Sequence, residues 1–323
     1  MIAPILILLL LLCSDLFPQD PGFSQFYSNH LYLNPAFAGN PRYKRISMVY
    51  RNQWLTRESP YVTYGVSYDM FLHRRESGIG FNLVNDVQGQ GAINRLSADA
   101  IFSHSIQVAY NAQIRGGIQA GGILLSNNPN ALVFPDMISP EGEVVGSTGY
   151  AISTRVMPDF AVGFVGEWDN LFGGFSVHHL AQPVELHGAQ RVTLPRKYTV
   201  HAGYNFSPYR RYIFRNFLTL SPNIIYMQQQ NFRRLSLGVY LNRESITAGI
   251  WLKQNLTFAS HTFVFMAGYS DAKYRFGYSY DFSILKGGLR GINTSTHEVT
   301  FGVNLEYKSR VRKKFRYIKC PKI

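Results

Sequence analysis

Side chains that alternate in character at every second position, run after run, constrain this chain more than any other feature. From Glu298 to Glu306, Val299, Phe301, Val303 and Leu305 alternate with Glu298, Thr300, Gly302, Asn304 and Glu306. From Tyr274 to Phe282 one parity is wholly aromatic, and the other reads Arg275, Gly277, Ser279 and Asp281. The same split separates Tyr198, Val200, Ala202, Tyr204 and Phe206 from Thr199, His201, Gly203 and Asn205. It also separates Leu235, Leu237, Val239 and Leu241 from Arg234, Ser236, Gly238, Tyr240 and Asn242. Period-two patterning of this kind builds strands with two unlike faces. Further runs lie at 44–54, 61–72, 77–86, 93–106, 110–125, 159–168, 171–179, 214–226, 245–254 and 258–269, which makes 14 candidate strands. An even count lets an up-and-down sheet close with both of its ends on one side.

Two all-β architectures remain, a soluble sandwich and a membrane barrel. In a sandwich the polar face meets solvent and favours Lys, Glu and Thr, whereas the hydrophilic parity here carries Gly, Ser, Asn, Tyr and occasional charges, as a barrel lumen does. Charged residues make up only 16% of the chain, against 15% aromatics with 21 Tyr and 23 Phe, where a soluble domain has about 25% charged. Aromatics at strand ends, Tyr198 with Phe206 and Tyr274 with Phe282, are placed as an interfacial girdle is. Beyond the N-terminus no apolar run approaches the roughly 18 residues that a membrane-spanning helix needs. The expected fold is a single antiparallel up-and-down transmembrane β-barrel of about 14 strands over residues 43–307. Its connections are unequal. Asn242-Arg243-Glu244 and Ser270-Asp271-Ala272 are short turns, whereas Ser126–Pro158 and Ala181–Pro195 read as loops.

The apolar stretch Ile2–Leu12 has the length of a signal-peptide core, so residues 1–18 are expected to direct export to the cell outer membrane. With Cys13 in that region and Cys320 near the other end, no intrachain disulfide is expected. The formal charge is +13, but Lys308, Arg310, Arg312, Lys313, Lys314, Arg316, Lys319 and Lys322 crowd into a basic tail, 308–323. That placement points to a solvated periplasmic tail, or one touching anionic lipid or an acidic partner, and not to nucleic acid.

The segment 19–42 breaks the alternation. Asn34-Pro35 and Ala38-Gly39-Asn40-Pro41 impose an irregular backbone, so a compact plug or rim ahead of the first strand is expected. The segment contains Gln19-Asp20, Phe23-Ser24-Gln25-Phe26 and Leu33-Asn34-Pro35-Ala36-Phe37-Ala38-Gly39. Later come Tyr50-Arg51-Asn52-Gln53-Trp54, Asn85-Asp86, His178-His179-Leu180-Ala181-Gln182-Pro183, Leu194-Pro195-Arg196-Lys197-Tyr198 and Ala202-Gly203-Tyr204. In content and order these resemble the landmarks of the PorP/SprF family, and the resemblance covers nearly the whole chain after the signal region. It implies an outer-membrane component of the type IX secretion and gliding machinery of Bacteroidetes-type bacteria. The partners it implies are the periplasmic ring and gliding components, and a secreted adhesin with a C-terminal sorting domain, alongside outer-membrane lipid. Partner contacts are expected at 23–41, at the 126–158 loop and in the tail, through Phe26, Leu33, Asn34, Pro35, Phe37, Arg51, Gln53, Trp54, Arg312, Lys313 and Lys314.

Arg45, Arg51 and Gln53 share the inward parity of the first strand. With Arg115, Arg275, Asp281, Glu298 and Glu306 they are candidates for an internal charge network, since buried charge persists when paired. No cofactor, metal site or catalytic constellation is expected. His178 and His179, adjacent in a strand, point to opposite faces and do not chelate one ion together. There is no P-loop, nucleophile elbow or H-E-x-x-H sequence. The alternatives are a diffusion channel or small-solute transporter, which needs an open lumen, and an outer-membrane hydrolase, which needs clustered catalytic side chains.

Overall fold

The computed structural model of the chain describes residues 20–40, 43–54, 61–133, 137–139, 152–186, 192–206, 218–257, 260–284 and 295–305. The expected signal region 1–18 and basic tail 308–323 lie outside them, as does Glu306. Each run picked out by alternation forms a strand. These are β1 (Lys44–Gln53), β2 (Tyr61–Leu72), β3 (Ser77–Gln88), β4 (Ile93–Ala109), β5 (Ala112–Asn127), β6 (Ser153–Trp168) and β7 (Leu171–His178). After a small hairpin, β8 (Val184–Leu186) with β9 (Val192–Thr193), come β10 (Lys197–Tyr204), β11 (Leu218–Gln229), β12 (Phe232–Arg243) and β13 (Ile246–Asn255). The last three are β14 (Ser260–Ser270), β15 (Tyr274–Ile284) and β16 (Thr296–Leu305). All but β8 and β9 join one closed antiparallel barrel, in which β16 returns to pair with β1. Closure leaves no sheet edge, the condition for crossing hydrocarbon with strands. No helix among the described residues is long and apolar enough to cross a membrane.

Parity decides what faces out. Tyr198, Val200 and Tyr204 on β10, Phe263 and Phe265 on β14, and Tyr274, Phe276, Tyr278 and Phe282 on β15 are exposed around the outside. Their neighbours Thr199, His201, Val264, Met266, Arg275, Ser279 and Asp281 are buried inside. The turns 73–76, 110–111, 169–170, 244–245 and 271–273 gather at one end together with Lys44 and Leu305, with the 205–217 connection. The 128–152, 179–196 and 285–295 connections gather at the other. In outer-membrane barrels the short turns face the periplasm and the long loops face out.

Two expected loops are shorter than their sequence suggests. β5 continues to Asn127 and β6 begins at Ser153, so 153–158 is strand despite Pro158. The Phe160 carbonyl accepts from Leu180 N on the side away from β5, and Pro158, two residues back, turns its backbone nitrogen the same way. There β6 has no strand partner, because pairing with β7 starts only at Val162. A missing donor therefore breaks no ladder bond. Ala181–Pro195 is not all loop either, since it contains the β8–β9 hairpin, which buries Glu185 and brings Leu194 against Ile123, Leu125 and Met157.

Candidate functional site: the lumenal segment and the cup above it

The largest apolar cluster lies inside the barrel, and its centre is not a strand. Phe26, Tyr27, Leu33, Ala36 and Phe37 pack against Val165, Phe172, Ile225, Tyr240, Trp251, Val264 and Met266 of the wall. The segment 20–40 runs the length of the lumen. Asp20 N donates to the Gln229 side chain at the long-loop end (3.2 Å), and Gly39 N donates to Asp69 near the short-turn end (2.9 Å). Between them come a turn at 25–28, one helical turn (His30–Leu33) and a 3-10 turn (Pro35–Phe37). Asn34 is extended, as the residue before proline tends to be, and its Oδ1 caps the 3-10 turn by accepting from Ala36 N. Its amide nitrogen donates outward to the Phe164 and Phe175 carbonyls (3.1 and 3.2 Å). The Leu-Asn-Pro-Ala-Phe stretch is thus one rigid turn bonded to two strands. Gly39 takes a left-handed φ of 63° that ends it. The wall is built to receive it. A Cβ at Gly78, Gly117 or Gly163 would come under 3.0 Å from Ala38, Ala36 or Asn34.

Three charged clusters fix the segment. In the middle, Arg51 Nη1 donates to Glu298 Oε2 (2.9 Å), and Lys253 Nζ to Asp281 Oδ2 (3.1 Å). Ser24 joins both acids, its N–H donating to Glu298 (2.7 Å) and its hydroxyl to Asp281 (2.6 Å), while Gln25 N also donates to Glu298 (3.0 Å). Arg51 and Glu298 are direct partners in the β1–β16 seam, so the pair that holds the segment also sits at the closure of the barrel. Near the short-turn end, Arg45 pairs with Asp69 (2.9 Å), and Ser103 and Arg115 donate to Ala38 O (2.7 and 2.9 Å).

At the long-loop end, His179 bridges Asp20 (2.8 Å) and Asp159 (2.9 Å), and Lys197 also reaches Asp20 (2.6 Å). Burial opposes charge on His179, but the two carboxylates outweigh it and push its pKa up to about 9. Burial likewise opposes charge on Asp20, and His179 with Lys197 nevertheless hold it well below the usual carboxylate range.

Above the segment opens a cup of about 740 Å³ at the long-loop end. Asp20, Pro21 and Gly22 are among its lining, with Gln53, Trp54, Arg95, Glu185 and Arg234 on its walls. Arg95 pairs with Glu185 of the hairpin. Trp54, at a left-handed φ of 65°, meets Tyr61 edge to face at 4.7 Å.

The residues singled out in the sequence therefore separate into groups. Phe26, Leu33, Asn34, Pro35 and Phe37 are buried in the lumen, where their neighbours are the wall. Arg51 is buried in the central cluster, and Gln53 and Trp54 are half-buried at the cup. Arg312, Lys313 and Lys314 lie outside the described residues. Of the proposed charge network, Arg51, Asp281 and Glu298 come together, while Arg45 pairs instead with Asp69, and Arg115 reaches a backbone carbonyl. Alternation could have flagged Asp69, which has the inward parity of β2. The Asp20–His179–Asp159 bridge has no local signature.

Closed, aromatic-belted barrels of this kind belong to outer membranes, and one solved channel agrees in fold. The chain is similar to the CymD monoaromatic hydrocarbon channel, with a TM-score of 0.50 and 10% identity, covering 87% of this chain and 93% of that one. It is also similar to the Pseudomonas putida toluene transporter TodX (TM-score 0.46, 12% identity, 88% and 93% covered). A Pseudomonas aeruginosa FadL homologue gives a TM-score of 0.44 at 13% identity, with 90% and 94% covered. At 10% identity the likeness to CymD is one of fold alone. No curated protein matches the chain. The family model for the type IX secretion system membrane protein PorP/SprF matches residues 16–303, from the lumenal segment to the closing strand. The chain belongs to the PorP/SprF family of type IX secretion system membrane proteins.

Proposed function

We propose that this outer-membrane component of type IX secretion works by protein contact, as a closed mount that supports secretion or surface retention of an adhesin-type cargo. One observation carries the reading. The barrel fills its lumen with its own segment 20–40, whose side chains from Phe23 to Ala38 are almost all buried, and among the described residues a cup remains at the long-loop end. A diffusion channel needs a continuous path, and the pockets beside the segment at Phe26, at His178 and at Val49 hold only about 50, 40 and 10 Å³.

In this reading the segment is a plug, and Phe26, Leu33, Asn34, Pro35 and Phe37 act on a partner indirectly, by holding the cup floor still. Gln53 and Trp54 contact the cargo's C-terminal sorting domain, and Arg312, Lys313 and Lys314 contact the periplasmic ring and gliding components. A strain lacking this chain should lose surface display of its adhesin and regain it with the intact gene. Complementation with a Gln53→Ala/Trp54→Ala chain should insert in the membrane yet restore less than half of the display. Full display without the chain would remove the role.

A further inference from the structure

Among the described residues around the cup, ion pairing leaves one cation without a partner. Asp281 and Glu298 already accept from Ser24, Arg51 and Lys253. Asp86 accepts from Thr63 and Gln88 (2.5 and 2.7 Å), Asp20 is held by His179 and Lys197, and Glu185 by Arg95. Arg234 has no hydrogen bond or ion pair among the described residues. Its guanidinium lies 4.8 Å from the Phe232 ring and so close over Gly22 that a Cβ there would meet Nη1 at 2.6 Å.

Arg234 also stands at a junction. It lines the cup, and it lines a second, smaller pocket of about 50 Å³ walled by Phe23, Phe26, Met227 and Phe232. A guanidinium offers two parallel N–H donors that match a carboxylate, and such paired contacts are the strong ones when water is partly excluded. On Arg95, across the cup and paired with Glu185, Nε and Nη1 are buried without a hydrogen-bond partner, so further N–H donors are available there.

We propose that Arg234 anchors an anion-binding site, which takes a carboxylate entering from the long-loop end and seats the short apolar group behind it in the neighbouring pocket. The carboxylate comes from a small organic acid or from the free C-terminus of a peptide. The inference stands apart from the secretion role, because it is read on the purified barrel and that role is read in cells.

The full chain in detergent is titrated calorimetrically with sodium butyrate, and with a hexapeptide ending in Ala-Val as the free acid or the amide. Wild type and Arg233→Gln, whose side chain has the outward parity, should bind at least one free carboxylate probe saturably. Arg234→Gln should weaken that binding by about tenfold or more, and the amide should bind no better than that to wild type. Arg234→Lys, which keeps the charge and loses the fork, should fall between and carries the test if the Gln variant does not fold. Binding of butyrate alone assigns the site to small acids, and binding of the peptide alone assigns it to chain ends. An Arg234→Gln variant that binds as wild type does, or a wild type that binds neither free carboxylate, overturns the proposal.

Discussion

Arg51 shows how a single side chain ties seam, lumen and segment together. Buried pairs are expensive to break singly, since the partner left behind is a desolvated charge, at about 3–5 kcal/mol. Glu298→Ala leaves Arg51 only the longer contact with Asp281 (3.4 Å) and takes the acceptor from the Ser24 and Gln25 amides, so it should lower folding stability by about the lower end of that range, measured by urea unfolding of the reconstituted barrel. A loss under about 1 kcal/mol would mean that the pair is solvated. At the long-loop end the sign of the pH effect follows from His179. Its pKa is raised from 6.5 to about 9 on docking, so its contribution is complete below 6.5 and vanishes as pH rises through 9. Asp20, shifted the other way, contributes above its ordinary 3.8 and loses that contribution as pH falls further. A fluorophore on Pro21→Cys should therefore hold its anisotropy at neutral pH and lose it above about pH 9. Constant anisotropy to about pH 10 would show that the bridge does not hold the segment. Parity made Arg51, Asp281 and Glu298 legible as inward charges. Asp20, His179 and Asp159 meet only because three distant pieces of chain share one end of the barrel, and no spacing records that.

Among the elements, the strands were legible and the segment's path was not. Alternation marks a strand wherever two faces meet different media, which is why every barrel strand has its run in the sequence. It fails at 153–158, where proline masks a strand whose unpaired side needs no donor, and at β8–β9, too short to show a period. The segment 20–40 has turn chemistry, legible in Asn34-Pro35 and Gly39, but its docking groove consists of wall glycines scattered over β3, β5 and β6. Filling that groove should dislodge the segment and spare the barrel. Gly117→Leu is expected to keep the heat-modifiable mobility of a closed barrel while chymotrypsin gains access to Phe26, Tyr27 and Tyr32. Continued protection would show that the wall yields and the segment stays.

For the molecule as a whole, the consequence is a barrel threaded by its own chain. Asp20 stands at the long-loop end, whereas Lys44 and Leu305 stand together at the opposite one, so the segment crosses the closed barrel from one end to the other. The hydrogen bonds of Ser24 to Glu298 on β16 and to Asp281 on the neighbouring β15 tie the segment to the wall at the β1–β16 seam. A filled lumen separates a mount from a channel, and solute flux reads that difference directly. In vesicles carrying the wild-type protein, arabinose uptake should match protein-free vesicles, while vesicles carrying Gly117→Leu should swell. Swelling with the wild type, at a rate that the substitution does not raise, would contradict the account.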